Sequence, residues 1–115
     1  MTGPVRFVWL TLGLAPYLAL IGVDAWIHER ARKVPGVERG IHYTSAVVLI
    51  GFLAGVFTGR STLAASCLAI FVPLLAWDAL VYHRTLERTE RRVHLAAYLA
   101  FALFVVVWRW TVTQA

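Results

Sequence analysis

The segment STLAASCLAIFVPLLAWDALVYH, residues 61–83, contains the pattern on which the architecture of this 115-residue chain depends. It has no charged residue or histidine from Ser61 to Trp77, and then an aspartate and a histidine near its end. A helix needs about 20 mostly apolar residues to span the bilayer core. Flanking tryptophans and long basic side chains extend a slightly shorter run to that length. The segment therefore predicts a transmembrane helix over 61–83.

Three further runs share this composition. They lack Asp, Glu, Lys, Arg and His over residues 7–23, 43–59 and 95–108. We expect the corresponding helices over 6–28, 41–59 and 93–112. The runs have no polar stripe of the kind that soluble amphipathic helices carry, and the chain is 60% hydrophobic and only 15% charged. The sequence therefore predicts an all-α integral membrane four-helix bundle, in one domain of residues 1–115.

The polar residues beside the apolar runs occur in two similar copies. Aspartate and histidine end an apolar run in VDAWIHER (23–30) and WDALVYHR (77–84), and Glu-Arg-x-x-His precedes one in VERGIHYTSA (37–46) and TERRVHLAAY (89–98). The chain thus reads as two tandem helical hairpins in the same orientation, over 6–59 and 61–112. A parallel internal repeat implies a pseudo-two-fold axis along the membrane normal.

Each predicted helix carries one carboxylate and one imidazole at the same end. The eight candidate metal ligands are Asp24, His28, Glu38, His42, Asp78, His83, Glu90 and His94. This ligand chemistry suits iron, zinc or manganese. Di-iron four-helix bundles are similar in combining one carboxylate per helix with added histidines, although at a spacing of three residues rather than four. Eight ligands are twice what one four-coordinate ion needs, so the sequence predicts two ions, iron or zinc, in a binuclear centre shared between the two hairpins. One ion per chain, with the spare groups orienting its histidines, is the alternative.

Three of the four pairs are four residues apart, which places both members on one helix face. Asp78 and His83 are five apart, about 140° around a regular helix. A π-bulge between Pro73 and His83 would return His83 to the Asp78 face, and the alignment of His83 with His28 favours this arrangement. Otherwise Tyr82 faces the site.

Basic residues predict the orientation in the membrane. Eight of the eleven lie beside the two histidine-bearing loops, and Arg6, Arg60 and Arg109 lie at the opposite helix ends. The positive-inside rule then predicts two cytoplasmic hairpins and two external termini, in an inner membrane of bacterial type. The net charge of +5 is explained by topology and by lipid phosphates rather than by nucleic acid.

Several functions fit this pattern. A metal-dependent oxidoreductase or hydrolase acting on a lipid-soluble substrate would suit a site at this depth. A b-type haem protein would use paired histidines as axial ligands, although haem needs no carboxylates beside them. A metal or proton transporter would use intramembrane ionisable groups, although the outer half of the helices has few polar residues. A non-enzymatic subunit of a membrane complex is the remaining alternative.

Glycines predict a close helix contact. Gly51, Gly55 and Gly59 form two overlapping G-x-x-x-G units, which let helix backbones approach closely in lipid. They predict either a contact within the chain or the face of a homo-oligomer or larger membrane complex. The single cysteine, Cys67, is interpreted as a small packing residue.

Overall fold

The computed structural model describes the backbone of residues 2–31, 36–82 and 88–114, and the side chains of residues 2–26, 39–80 and 91–114. Within these backbone ranges the chain forms four long helices and no strand. The helices are α1 (Gly3–Ala31), α2 (Gly36–Phe57), α3 (Ser61–Trp77), which continues into a π-helical turn (Asp78–Tyr82), and α4 (Arg88–Thr113). The predicted all-α four-helix fold is confirmed.

Each of these helices is long and apolar enough to cross a membrane. The spans are Gly3–Trp26, Arg39–Phe57, Ser61–Leu80 and Arg91–Thr113. Large apolar side chains also cover their outward surfaces, and Val47 and Leu80 are 69% and 70% exposed. An exposed apolar surface of this extent is typical of a membrane-contacting surface, where lipid hydrocarbon covers the side chains. The chain is a multi-pass membrane protein, as predicted.

α1 and α4 pack against each other in antiparallel orientation. Trp9 meets Trp110 edge to face, with ring centroids 5.3 Å apart, and Tyr17 lies 5.1 Å from Phe101. As the residue number rises along α1, the number of its partner on α4 falls, so the two helices are antiparallel. The buried apolar side chains on the two helices are Leu10, Leu14, Tyr17, Ala97, Ala100, Phe101, Phe104 and Trp108.

α2 and α3 pack antiparallel through glycine. A Cβ atom added at Gly55 would lie 2.6 Å from the backbone nitrogen of Ala64, and one added at Gly51 would lie 2.9 Å from Sγ of Cys67. The neighbour at Gly55 is backbone, so no side chain fits there, and glycine permits this close approach. Gly59 then turns the chain with a φ of +75°, a conformation that favours glycine after a helix. The predicted close contact is made within the chain, and association of copies through these glycines stays a prediction.

The packed helix pairs cut across the sequence repeat. α1 comes from the first copy and packs on α4 from the second. α2 comes from the first copy and packs on α3 from the second. Each packed helix pair therefore takes one helix from each copy of the repeat. The division into 6–59 and 61–112 describes the repeat in the sequence and does not describe which helices pack together.

The end of α3 departs from regular helix where a bulge was predicted. Pro73 lies inside α3 and has no N–H for the helical ladder. The π-helical turn follows at Asp78–Tyr82. A π-helix bonds residues five apart, which is the separation of Asp78 and His83. The predicted bulge is present, but His83 and the Tyr82 side chain lie outside the described residues, so the choice between them stays a prediction.

Candidate functional site

In the α1/α4 pair, the carboxylate of Asp24 contacts the imidazole of His94. Oδ1 of Asp24 lies 2.7 Å from Nδ1 of His94, within ion-pair distance. Only 10% of the His94 side chain and 18% of the Asp24 side chain are exposed. Asp24 lies near the end of α1 and His94 near the start of α4. Antiparallel packing therefore brings them to one level.

Two tyrosines border this contact. Tyr98 lies one turn beyond His94 on α4, and the two ring centroids are 5.7 Å apart at an interplanar angle of 37°. Tyr17 is buried on α1, close enough to Asp24 and Tyr98 to interact with them electrostatically. The hydroxyl oxygen of Tyr98 is also buried. A carboxylate, an imidazole and two phenols thus form one polar group in a largely apolar helix pair, which we call the α1/α4 cluster.

In the α2/α3 pair, His42 contacts Asp78. Nε2 of His42 and Oδ1 of Asp78 are hydrogen-bonded at 3.2 Å. The Asp78 side chain is 11% exposed, whereas 34% of the His42 side chain is exposed. Asp78 is the first residue of the π-helical turn, and His42 lies in the second turn of α2.

The two contacts occupy equivalent positions in the repeat. Asp24 corresponds to Asp78, and His42 corresponds to His94. Each contact therefore joins the aspartate of one copy to the histidine of the other. The geometry differs, because the nitrogen that faces the carboxylate is Nδ1 in His94 and Nε2 in His42.

The other four predicted ligands have side chains outside the described residues: His28, Glu38, His83 and Glu90. The backbone at His28, Glu38 and Glu90 is helical, as the four-residue spacing predicted. Among the side chains that the structure describes, no group of three or more His, Cys, Asp or Glu is placed to hold a metal ion. The described residues thus supply two predicted ligands per helix pair, and the metal site stays a prediction.

Sequence reasoning missed the tyrosines of the α1/α4 cluster. The signal was present, because Tyr98 follows His94 by four residues and Tyr17 precedes Asp24 by seven. Both spacings keep residues on one helix face. A tyrosine hydroxyl also needs a polar partner when it is buried. A tyrosine at either spacing from a predicted ligand was therefore a candidate for the same polar group.

The chain matches no protein-family model, no curated protein and no solved structure in the three comparisons made. The two aspartate–histidine contacts are the observations that bear most directly on function.

Proposed function

We propose that this protein is a small integral membrane metalloprotein, with a carboxylate and histidine site at one end of its helices. The observation that supports the proposal most is that four of the eight candidate ligands meet as two contacts, Asp24–His94 and His42–Asp78. Both aspartates lie within the apolar spans Gly3–Trp26 and Ser61–Leu80. An anion near the membrane boundary needs compensation. A bound cation would provide it.

The stoichiometry that we propose is two ions, iron or zinc, per chain. Two carboxylates and two imidazoles of the eight candidate ligands lie in or beside each packed helix pair. The proposed ligands are Asp24, His28, Glu90 and His94 on α1 and α4, and Glu38, His42, Asp78 and His83 on or beside α2 and α3. Four such donors suit one tetrahedral ion.

The class of reaction would follow from the metal. Iron would support oxygen-dependent oxidation of a lipid-soluble substrate, and zinc would activate water for hydrolysis. A membrane-embedded site favours substrates that reach it through the bilayer. We therefore propose a metal-dependent membrane oxidoreductase or hydrolase.

Elemental analysis tests the proposal on protein purified without a histidine tag. We expect about two ions per chain for wild type. His94→Ala and His42→Ala should each lower the metal content, whereas Glu29→Ala and Glu87→Ala, which change acidic residues outside the proposed set, should not. Equal metal content in all four variants would contradict the ligand assignment.

Two further results would favour other functions. A Soret absorption band in the purified protein would favour a b-type haem protein, because histidine-ligated haem absorbs there. Wild-type protein that binds neither iron nor zinc would favour a non-metal role for the two contacts, as buried ion pairs or as part of a proton pathway.

We also propose that both basic loops face the cytoplasm and both termini the outside of an inner membrane of bacterial type. The distribution of Lys and Arg supports this orientation. A reporter that is active only outside the cytoplasm should be active when fused to the C terminus. Activity of a cytoplasm-specific reporter at the same position would contradict the orientation.

A further inference from the structure

We infer that the α1/α4 pair binds the headgroup of an anionic phospholipid at the end opposite the α1/α4 cluster. The site consists of Arg6 and Trp9 on α1 and of Arg109 and Trp110 on α4, and we call it the Arg/Trp end. It shares no residue with the proposed metal sites, so this inference does not depend on the proposed function.

The Arg/Trp end lies at the depth of a membrane boundary. Trp9 and Trp26 are both exposed and are 17 residues apart on α1, which corresponds to about 26 Å along a regular helix. The hydrocarbon core of a membrane is about 27–30 Å thick, and tryptophan is enriched at its two interfaces. Residues beside Trp9 therefore reach the level of the lipid headgroups.

Two arginines, one from each helix, lie at this level. The rings of Trp9 and Trp110 meet with centroids 5.3 Å apart. Arg109 is adjacent to Trp110, and Arg6 precedes Trp9 by three residues, about 4.5 Å of helix rise. Arg109 is exposed, and its guanidinium carbon lies 5.6 Å from the centre of the Trp108 ring. Antiparallel packing thus brings two cationic groups and exposed indole rings to one end of the pair.

The side chains at this end favour an anion that also has an apolar part. No Asp or Glu occurs in residues 1–23 or 91–115. Guanidinium groups match the oxygens of a phosphate in geometry and charge, and basic residues near a membrane attract anionic lipids. Val106, one turn inside Trp110 on α4, is 64% exposed and offers apolar surface to an acyl chain. A phospholipid satisfies both parts, whereas free phosphate satisfies only the first.

The equivalent end of the α2/α3 pair lacks this combination. Arg60 corresponds to Arg6 in the repeat. The positions equivalent to Arg109, Trp9 and Trp110 have neutral side chains without an indole ring, namely Phe57, Leu63 and Thr58. Arg60 therefore provides a matched control, because it is an arginine at an equivalent position without a second cation from the packed helix.

Quenching of tryptophan fluorescence by brominated lipids tests the inference on the full-length protein in vesicles. Trp26→Phe and Trp77→Phe are introduced into every form, so that the three remaining tryptophans all lie at the Arg/Trp end. The vesicles contain phosphatidylcholine and phosphatidylglycerol in varied proportion, and one of the two lipids carries bromine in its acyl chains. The dependence of quenching on composition gives the affinity of this end for phosphatidylglycerol relative to phosphatidylcholine.

We expect the protein with both arginines to prefer phosphatidylglycerol. Arg6→Gln and Arg109→Gln should each lower the relative affinity about five-fold, the effect of one basic residue near an anionic lipid surface. Arg109→Lys, which keeps the charge, should retain most of the preference, and Arg60→Gln should leave it unchanged. Circular dichroism should confirm that each variant remains helical.

Three outcomes would overturn the inference: equal quenching by the two lipids before either arginine is changed, an equal loss of preference in Arg60→Gln and Arg109→Gln, or displacement of phosphatidylglycerol by excess inorganic phosphate included when the vesicles form. EDTA is present throughout, so bound metal does not enter the measurement. Both leaflets have the same composition, so the result does not depend on the proposed orientation.

Discussion

The α1/α4 and α2/α3 pairs derive from the same repeated sequence, yet they are held together by different contacts. α1 and α4 meet through large rings, including Trp9 with Trp110 and Tyr17 with Phe101. α2 and α3 meet through Gly55, where the backbones come close. The repeat retains helix length, polarity and the aspartate and histidine positions, whereas the packing residues differ. The features shared by the two copies are therefore those that the membrane and the site require.

The residues beside the two aspartate–histidine contacts also differ between the two helix pairs. Phe71 occupies the position in α3 that corresponds to Tyr17 in α1, and Ala46 occupies the position in α2 that corresponds to Tyr98 in α4. At these two positions phenols accompany the aspartate–histidine contact in α1 and α4, and phenylalanine and alanine accompany it in α2 and α3. The α1/α4 cluster extends its polar groups further along the apolar part of the helices than its counterpart does.

Glycine substitution should affect the α2/α3 pair most. Gly55→Ala places a methyl group 2.6 Å from backbone that cannot move alone, and overpacking of this kind costs about 3 kcal/mol. At Gly13 the added Cβ would lie 3.2 Å from the Val107 side chain, which can adjust, so Gly13→Ala should cost about 1 kcal/mol. Unfolding in SDS, followed by circular dichroism, measures both.

Gly40 provides the control, because a Cβ added there meets nothing within 4 Å. Gly40→Ala should not destabilise the protein. Equal losses for Gly13→Ala and Gly55→Ala would mean that glycine is not the distinguishing feature of the α2/α3 contact.

The two aspartate–histidine contacts should differ in their coupling energy in metal-free protein. The closer and more buried Asp24–His94 contact should contribute about 2 kcal/mol, because solvent screens the two side chains less. The more exposed His42–Asp78 contact should contribute less than about 1 kcal/mol, because solvent screens it. Double-mutant cycles with alanine at each pair, measured by SDS unfolding with EDTA present, isolate these terms. Equal coupling energies in the two cycles would contradict the predicted difference between the contacts.

Removal of a phenol should affect only the α1/α4 cluster. Tyr98→Phe deletes a buried hydroxyl beside His94 and should change the free energy of unfolding by about 1 kcal/mol, the scale of one buried hydroxyl group. Tyr43 is 68% exposed on α2, so Tyr43→Phe serves as the matched control and should leave stability unchanged. A Tyr98→Phe variant as stable as the control would show that the hydroxyl contributes no net stability.

The ring contact at the opposite end of α1 and α4 should have a modest effect. The Trp9 and Trp110 rings meet edge to face, and such pairs contribute about 0.5–1.5 kcal/mol beyond their buried area. A cycle of Trp9→Ala and Trp110→Ala should therefore show coupling near 1 kcal/mol. The corresponding residues Leu63 and Thr58 form the control cycle, which should show weaker coupling.

The sequence predicted the four helices because their length and apolar character depend on local composition. The π-helical turn after Pro73 was predicted for the same reason, from a five-residue spacing within one segment. Which helices pack together depends on side chains far apart in the chain, so the apolar runs alone did not pair α1 with α4. The contact of Gly55 with Ala64 likewise needed the structure, although the glycine motif had indicated a close approach.

Pairing α1 with α4 also has a consequence for biogenesis. α2 and α3 are joined by the short turn at residues 58–60, so they can associate as soon as both have entered the membrane. α1 is synthesised first, yet its partner α4 is the fourth helix to be made. Until then Asp24 enters the bilayer without His94 beside it, at a cost that its position near the membrane boundary keeps moderate. Ribosome pausing before α4 would therefore lengthen the time for which α1 depends on the insertion machinery or on lipid headgroups.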